Sequence, residues 1–142
     1  MDIWEYIFIK LGVHILLILG IIVSIIFFVF CCIKKRKKKP AVFALFTFLL
    51  LYLTTLLFFS SHKTWYQFND WYIIGQDIRT IEKKYGAFDL GCIMEGKSHW
   101  AAYYIYTDNG FIMPDHLEHY YYMEYDETGI IYEVYDDIRP GG

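Results

Sequence analysis

The densest group of titratable side chains in the sequence is the run Asp115-His116-Leu117-Glu118-His119. Histidines three positions apart share one side of a helical turn, so His116 and His119 are weak candidates for two metal ligands that a carboxylate would complete. The alternative is a hydrated loop, because no second motif closes such a site. We therefore predict no cofactor and assign no metal site.

Sequence patterns typical of enzymes do not occur in the chain. It has no phosphate-binding glycine loop, no serine elbow and no CxxC pair. The neighbouring carboxylates of Asp136 and Asp137 would point to opposite faces of a strand, so they do not predict a catalytic pair. We interpret the protein as non-catalytic and keep a metal-dependent hydrolase centred on His116 and His119 as a less favoured hypothesis.

A run of six basic residues separates two uncharged apolar stretches, residues 15–33 and 41–60. The second stretch has 20 residues, which in a helix reach the thickness of a bilayer core, roughly 30 Å. Polybasic segments in short loops stay in the cytoplasm, so the run predicts a hairpin with both chain ends outside. Contact with anionic lipid headgroups is a compatible second role. The run consists of Lys34, Lys35, Arg36, Lys37, Lys38 and Lys39.

The composition predicts three segments along the chain. Residues 1–60 form a transmembrane hairpin, with spans at about 13–33 and 41–60 and a basic loop at 34–40. Residues 61–72 are an aromatic juxtamembrane segment, which we expect to lie in the membrane interface. Residues 73–142 form an extracytoplasmic domain.

The charge of the protein differs between its two parts. Residues 1–60 hold seven basic and two acidic residues, a net charge of +5, and later residues hold six basic and fourteen acidic residues, a net charge of −8. Binding to phosphates needs a basic face, so the outer part is not expected to bind nucleic acid. Its acidity suits a cationic partner or serves solubility alone.

The three cysteines predict no disulfide framework. Cys92 is alone on the outer side, whereas Cys31 and Cys32 end the first span on the cytoplasmic side, where thiols stay reduced. These two side chains either face lipid or carry a reversible palmitoyl group.

The segment IIGQDIRTIEKKYG carries the pattern of one amphipathic helix. Its apolar residues Ile74, Ile78, Ile81 and Tyr85 recur at helical spacing and predict about three turns. Gly86 is placed to end this helix in a left-handed conformation.

Three segments rich in tyrosine and β-branched residues predict strands at 99–106, 120–125 and 130–135. The last two form an antiparallel hairpin, because Asp126-Glu127-Thr128-Gly129 ends in a glycine that tolerates the positive φ of a tight turn. Thr107-Asp108-Asn109-Gly110 is a second predicted turn, and Phe111 to His119 is predicted to be a loop or a single helical turn that crosses to the next strand.

One helix packed on a three- to four-stranded antiparallel sheet is the simplest α+β fold for this domain. Alternation along strands sends about half of the tyrosines away from the helix. Either these tyrosines only pair across strands, or they form an exposed face that binds a peptide, a glycan or a membrane protein. The candidate interaction face consists of Tyr104, Tyr106, Tyr121, Tyr125 and Tyr132.

The run from helix to hairpin, IGQDIRTIEKKYGAFD, HWAAYYIY and YYYMEYDETGIIYEVY, resembles the small module of the SmpA/BamE lipoprotein family and the β-lactamase-inhibitor-like folds. The resemblance rests on Gly86 after the helix and on Asp126 and Gly129 at the turn. TDNG, MPDHL and the final PGG also resemble segments of small membrane-anchored bacterial proteins of unassigned function. The resemblance implies a protein-binding module outside the membrane, and it assigns no functional residue.

These observations lead to one hypothesis and one alternative. The hypothesis is a multi-pass protein of a bacterial plasma membrane whose acidic domain binds another envelope or membrane protein. The alternative is a sensor or accessory subunit that binds a glycan or peptide through the tyrosine-rich sheet face.

Overall fold

The computed structural model describes residues 3–109 and 114–139. The chain divides into two compact units, one formed by Glu5–Phe58 and one that contains the described residues from Phe59 onward. Part of the predicted loop at 111–119 and the residues from Pro140 to Gly142 lie outside the described ranges.

The first unit consists of most of two apolar helices, α1 (Ile3–Ile33) and α2 (Lys39–Ser61). Both are long and apolar enough to cross a membrane. In the 18-residue apolar stretch of each helix, only 11% of α1 and 0% of α2 is buried within the protein. A helix in the core of a soluble protein would be mostly buried, so lipid is the natural environment for these surfaces. Helix α1 begins at Ile3, well before the span predicted from about residue 13, and it includes Glu5 and Lys10.

The two long helices pack closely at Gly20. A Cβ atom added to Gly20 would overlap the ring of Phe48 in α2. One turn further along α1, Ser24 is 4% exposed, and its Oγ donates a hydrogen bond to the Gly20 carbonyl at 2.8 Å. Small residues on this side of α1 therefore let α2 approach, as in many membrane helix pairs.

The second unit is an α+β fold with two short helices, α3 (Asp70–Ile73) and α4 (Ile78–Tyr85). The described residues form one antiparallel sheet of four strands in the order β1-β2-β3-β4. The strands are β1 (Leu90–Gly91), β2 (His99–Thr107), β3 (Glu118–Tyr125) and β4 (Ile131–Ile138). The sequence predicted β2 and β3 with shorter bounds, placed β4 at 130–135, one residue early and three residues short, and missed β1, which is too short to carry a pattern.

The prediction that one helix runs through Ile74 is wrong. Helix α4 begins at Ile78, after the N-cap Asp77, whose side chain accepts a hydrogen bond from the Arg79 N–H. Ile74 is extended and 45% exposed, and Gly75 has φ +88°. The N-cap competes with continuous helix because its carboxylate satisfies a free N–H of the first turn. Gly86 ends α4 with the expected positive φ, +99°, but with ψ −176° rather than a left-handed helical value.

The predicted hairpin between β3 and β4 is confirmed. Gly129 has φ +87° and donates its N–H to the Asp126 carbonyl at 2.9 Å. The Asp126 carboxylate closes the turn by accepting hydrogen bonds from the Thr128 hydroxyl and from the Thr128 and Ile130 N–H groups. The bond from the Thr128 hydroxyl is the main cause of the lowered pKa of Asp126, and the bond from the Ile130 N–H acts in the same direction.

Two aromatic side chains expected in the membrane interface lie instead in the core of the second unit. Trp65 is 1% exposed and stacks on Tyr106, and Phe68 is 6% exposed and stacks on Tyr103 and Tyr121. Trp71 remains 62% exposed. The sheet needs a cover larger than the two turns of α4, so the segment before α3 supplies it.

Candidate interaction surface of the sheet

The strand register separates the tyrosines into two faces. Directly paired residues share a face, and the pairs of Tyr103 with Tyr121 and of Ala102 with Tyr122 belong to opposite ones. The helix face is the one on which Tyr103 contacts Tyr85 of α4. We call the opposite side the outer face; its aromatic residues are Trp100, Tyr104, Tyr120, Tyr122, Tyr132 and Tyr135.

Three residues of the predicted interaction face are buried, so that part of the prediction is wrong. Tyr121 and Tyr125 are 0% exposed and Tyr106 is 7% exposed. The Tyr121 hydroxyl donates to the buried Asp70 carboxylate at 2.8 Å, and the Tyr125 hydroxyl donates to the Cys92 carbonyl at 2.9 Å. These rings belong to the helix face, where burial raises the pKa of Tyr121 far above its usual value, with the negative charge of Asp70 acting in the same direction.

Tyr104 and Tyr132 of the predicted face do lie on the outer face, at 44% and 51% exposure. Tyr106 follows Tyr104 by two residues but lies on the other face, because an irregularity in the β2–β3 pairing falls between them. A bulge of this kind reverses the alternation beyond it. No residue type in the sequence marks this position.

The outer face carries a continuous row of rings that sequence reasoning missed. Trp100 lies 5.4 Å from Tyr122, and Tyr122 stacks on Tyr135 at 5.4 Å between ring centroids. Tyr104 contacts Tyr120 edge to face at 5.7 Å. Tyr120 and Tyr122 are buried in a cluster with Ala102, against which Leu90, Trp100 and Tyr135 pack. Cross-strand aromatic pairs of this kind stabilise the sheet from this side.

Carboxylates on the outer face accept hydrogen bonds from the tyrosine hydroxyls. Glu124 accepts hydrogen bonds from Tyr132 at 2.7 Å and from Tyr135 at 2.9 Å, and Glu118 accepts one from Tyr120 at 2.7 Å. The bond to Glu124 is the main cause of the raised pKa of Tyr132. Burial is the main cause that raises the pKa of Tyr120 to about 12, and the hydrogen bond to Glu118 is the second cause. The outer face is therefore both aromatic and acidic.

The structure places the two candidate metal ligands in different surroundings. His116, with φ +60°, bonds through Nδ1 to Asn109 Oδ1 at 3.1 Å. His119 stacks on Tyr106 at 4.5 Å, and its Nδ1 lies 3.0 Å from Asp136 Oδ1. Within residues 3–109 and 114–139, no group of three or more His, Cys, Asp or Glu side chains could hold a metal ion. Burial raises the pKa of Asp136 in spite of the opposing effect of His119.

The six basic residues Lys34 to Lys39 are all exposed. They follow the end of α1, where the Arg36 N–H donates to the Cys31 carbonyl at 2.9 Å and Lys35 has φ +50°. The connection to α2 is therefore a tight turn with its charges at the surface. The three cysteines, all in the described ranges, are free thiols.

Comparisons of the chain with protein-family models, curated proteins and solved structures find no match. The likeness to the SmpA/BamE module therefore stays a hypothesis drawn from short motifs. The function must be inferred from the two units themselves.

Proposed function

We propose that the chain is a two-span protein of a bacterial plasma membrane whose acidic α+β domain binds another envelope or membrane protein on the extracytoplasmic side. Helices α1 and α2 anchor it in the lipid bilayer, and Lys34 to Lys39 keep their connection in the cytoplasm. The domain has no catalytic role in this proposal.

The two long helices support the membrane part of the proposal. Their apolar side chains are largely unburied, and exposing so much apolar surface to water is costly. The run of six basic residues at the turn favours the cytoplasmic side for that turn, since short basic loops are retained there.

The observation that carries the binding role is the outer face of the sheet. Tyr104 and Tyr132 are about half exposed beside a row of stacked rings that no helix among the described residues covers. Tyrosine is enriched at protein interfaces because its ring buries a large apolar area while its hydroxyl finds a polar partner. The carboxylates between these rings favour a partner with basic groups.

The same face supports a second candidate function, a sensor or accessory subunit that binds a glycan or peptide fragment. Its rings offer stacking surfaces, and the Glu124 and Glu118 carboxylates beside them are hydrogen-bond acceptors. The two candidates differ in the size and chemistry of the ligand.

Photo-crosslinking in intact cells tests these candidates. A photoreactive amino acid replaces Tyr104 or Tyr132, and a matched control replaces Lys83, which is exposed on α4. We expect one discrete protein adduct from the two outer-face positions and none from position 83. Adducts with glycan or wall fragments alone would support the second candidate. Equal labelling from position 83, or no adduct from either tyrosine, would contradict the proposed face.

The orientation is tested separately with a thiol reagent that cannot cross lipid. Cys92 is exposed, so we expect it to react in intact cells, whereas Lys37→Cys reacts only after permeabilisation. Replacing all six basic residues with glutamine should mix the two orientations. Glutamine at Lys83 and Lys84 is the control. The reverse labelling pattern, or an unchanged pattern after the six replacements, would refute the use of the charge rule.

A further inference from the structure

Strand β4 has a free edge in the sheet of the described residues. The sheet order places β4 last, beside β3 only. At its beginning, Gly75 and Gln76 bond to this edge: the Gly75 N–H donates to the Ile131 carbonyl at 2.8 Å, and the Ile131 N–H donates to the Gln76 carbonyl at 3.0 Å. Beyond Ile131, no described strand pairs with β4 on the side away from β3.

The pairing pattern shows which peptide groups face outward. The Arg139 N–H donates to the Glu118 carbonyl, so the alternation of an antiparallel ladder turns the peptide groups of Ile138, Asp136 and Val134 away from β3. The Tyr122 hydroxyl donates to the Ile138 carbonyl, and the Ile138 N–H donates to Asp137. Val134 and Asp136 therefore present N–H and C=O groups at the spacing of an added strand.

A groove runs along this part of the edge. Its volume is about 560 Å³, and its walls include Val134 and Asp136 on one side and Lys63, Asp70, Trp71 and Ile74 on the other. Ligand pockets typically enclose roughly 300–1,000 Å³. Trp71 and Ile74 are 62% and 45% exposed. Apolar side chains of an extended segment would bury these two residues.

On the outer face of the sheet, the surface beside this edge is acidic. Glu133 and Asp137 flank Tyr135 on the outer face, and both are exposed. Side chains of an added strand alternate between the two faces, so those on this side would lie beside two carboxylates. Basic residues suit these positions, because opposite charges on neighbouring strands stabilise pairing and like charges oppose it.

We propose that the free edge of β4, on the side away from β3, binds an extended segment of the partner protein as an added strand. The apolar side chains of this segment would lie in the groove, and its basic side chains would lie beside Glu133 and Asp137. This inference rests on the proposed binding function and names the chemistry of the partner. The acidic residues would also oppose pairing of this edge with a second copy of itself, since charges on an edge disfavour self-association.

Binding of a designed peptide to the full chain tests the proposal. The chain is held in nanodiscs of a zwitterionic lipid, and the probe is a fluorescent heptapeptide in which valine and lysine alternate. Val134→Pro removes an outward N–H without breaking the β3 ladder, since proline is tolerated at such edge positions. We expect it to weaken binding about tenfold or more. Val134→Thr, which keeps the N–H, is the matched control and should bind as the wild type does.

Modified probes keep the test valid if Val134→Pro disturbs the fold, which near-UV circular dichroism monitors. Methylating the amides on one edge of the peptide should abolish binding to the wild-type chain, and methylating those on the other edge should not. Glutamate in place of lysine should also abolish it. Equal binding of both methylated forms, equal binding to Val134→Pro when it is folded, or no binding of the lysine peptide would overturn the proposal.

The crosslinking experiment separates this inference from the function on which it rests. A protein adduct from Tyr132 that persists unchanged in folded Val134→Pro would leave the proposed function intact and exclude the β4 edge. Absence of any protein adduct, with peptide binding as expected, would show a peptide-binding edge without the proposed protein partner.

Discussion

Individual tyrosines in this protein have structural roles that depend on the face of the sheet they occupy. On the helix face, the Tyr121 hydroxyl donates a hydrogen bond to the buried Asp70 carboxylate, and the Tyr103 hydroxyl donates one to the Gly86 carbonyl. On the outer face, Tyr132 and Tyr135 share the surface carboxylate of Glu124. A buried acceptor that loses its donor cannot recover it from water, so the two groups differ in energetic importance.

Removing the Tyr121 hydroxyl should destabilise the second unit. Tyr121→Phe removes one hydrogen bond from the Asp70 carboxylate, which is 5% exposed, and leaves it the bond from the Thr64 N–H. We expect the free energy of unfolding to fall by about 1–3 kcal/mol. Tyr104→Phe is the control, since that side chain is 44% exposed, and it should change stability by no more than about 0.5 kcal/mol. Urea unfolding of the full chain in detergent, followed by near-UV circular dichroism, measures both. Equal effects would show that Asp70 does not depend on this bond.

At the scale of secondary structure, short-range chemistry decides where elements begin and end. Asp77 caps α4 and makes Ile78 its first residue, although the apolar spacing continues back to Ile74. The backbone at Gly75 and Gln76 bonds to β4 instead of to a helical turn. Because Ile74 lies outside α4, it forms part of the wall of the groove beside β4. The Asp77 cap therefore helps to shape the proposed binding edge.

The packing of α1 against α2 should depend on Gly20. Gly20→Leu would force its side chain into the Phe48 ring, and overpacking of this kind costs about 1–3 kcal/mol. Gly12→Leu is the matched control, because a Cβ atom there meets nothing within 4 Å. Unfolding in detergent mixtures of increasing dodecyl sulfate content, followed by energy transfer between labels on α1 and α2, measures the effect. Adding Phe48→Ala should restore part of the loss; equal midpoints for Gly20→Leu and Gly12→Leu would contradict this packing.

The whole molecule combines an apolar anchor of net positive charge with an acidic, tyrosine-rich domain. The charge difference follows the boundary between the two units, since residues 1–60 have a net charge of +5 and the residues after them have a net charge of −8. In the second unit, the acidic groups and the tyrosine hydroxyls are coupled by hydrogen bonds and by burial. This coupling makes the stability of the unit sensitive to alkaline pH.

Alkaline pH should unfold the second unit. Burial raises the pKa of Tyr103, Tyr106, Tyr121 and Tyr135 above the usual 10.0, and nearby carboxylates add to the shift. Between pH 10 and these higher values the folded state binds more protons than the unfolded state, so stability is fully present below about pH 10 and falls as pH rises. Tyrosinate absorbance and far-UV circular dichroism, recorded together, should change in one cooperative step above pH 10. Complete ionisation of the tyrosines at about pH 10 with the fold intact would contradict the prediction.

Patterns that depend on composition and local chemistry were readable from the sequence. The two apolar helices, the β3–β4 hairpin with its Asp126 to Gly129 turn and the α+β class all follow from length, periodicity and turn residues. These features are local, since each needs only neighbouring residues to satisfy its backbone or side-chain groups.

Only the tertiary structure decided which tyrosines are exposed. Both faces of β2 and β3 carry tyrosine, so alternation cannot say which set meets the helix, and the irregularity between Tyr104 and Tyr106 shifts the order again. The sheet also draws Trp65 and Phe68 out of the predicted interface segment into its core, because apolar rings are most stable where they are fully removed from water. Long-range packing therefore decides which tyrosines lie on the outer face, and it leaves the edge of β4 without a neighbouring strand among the described residues. No short stretch of the chain encodes either feature.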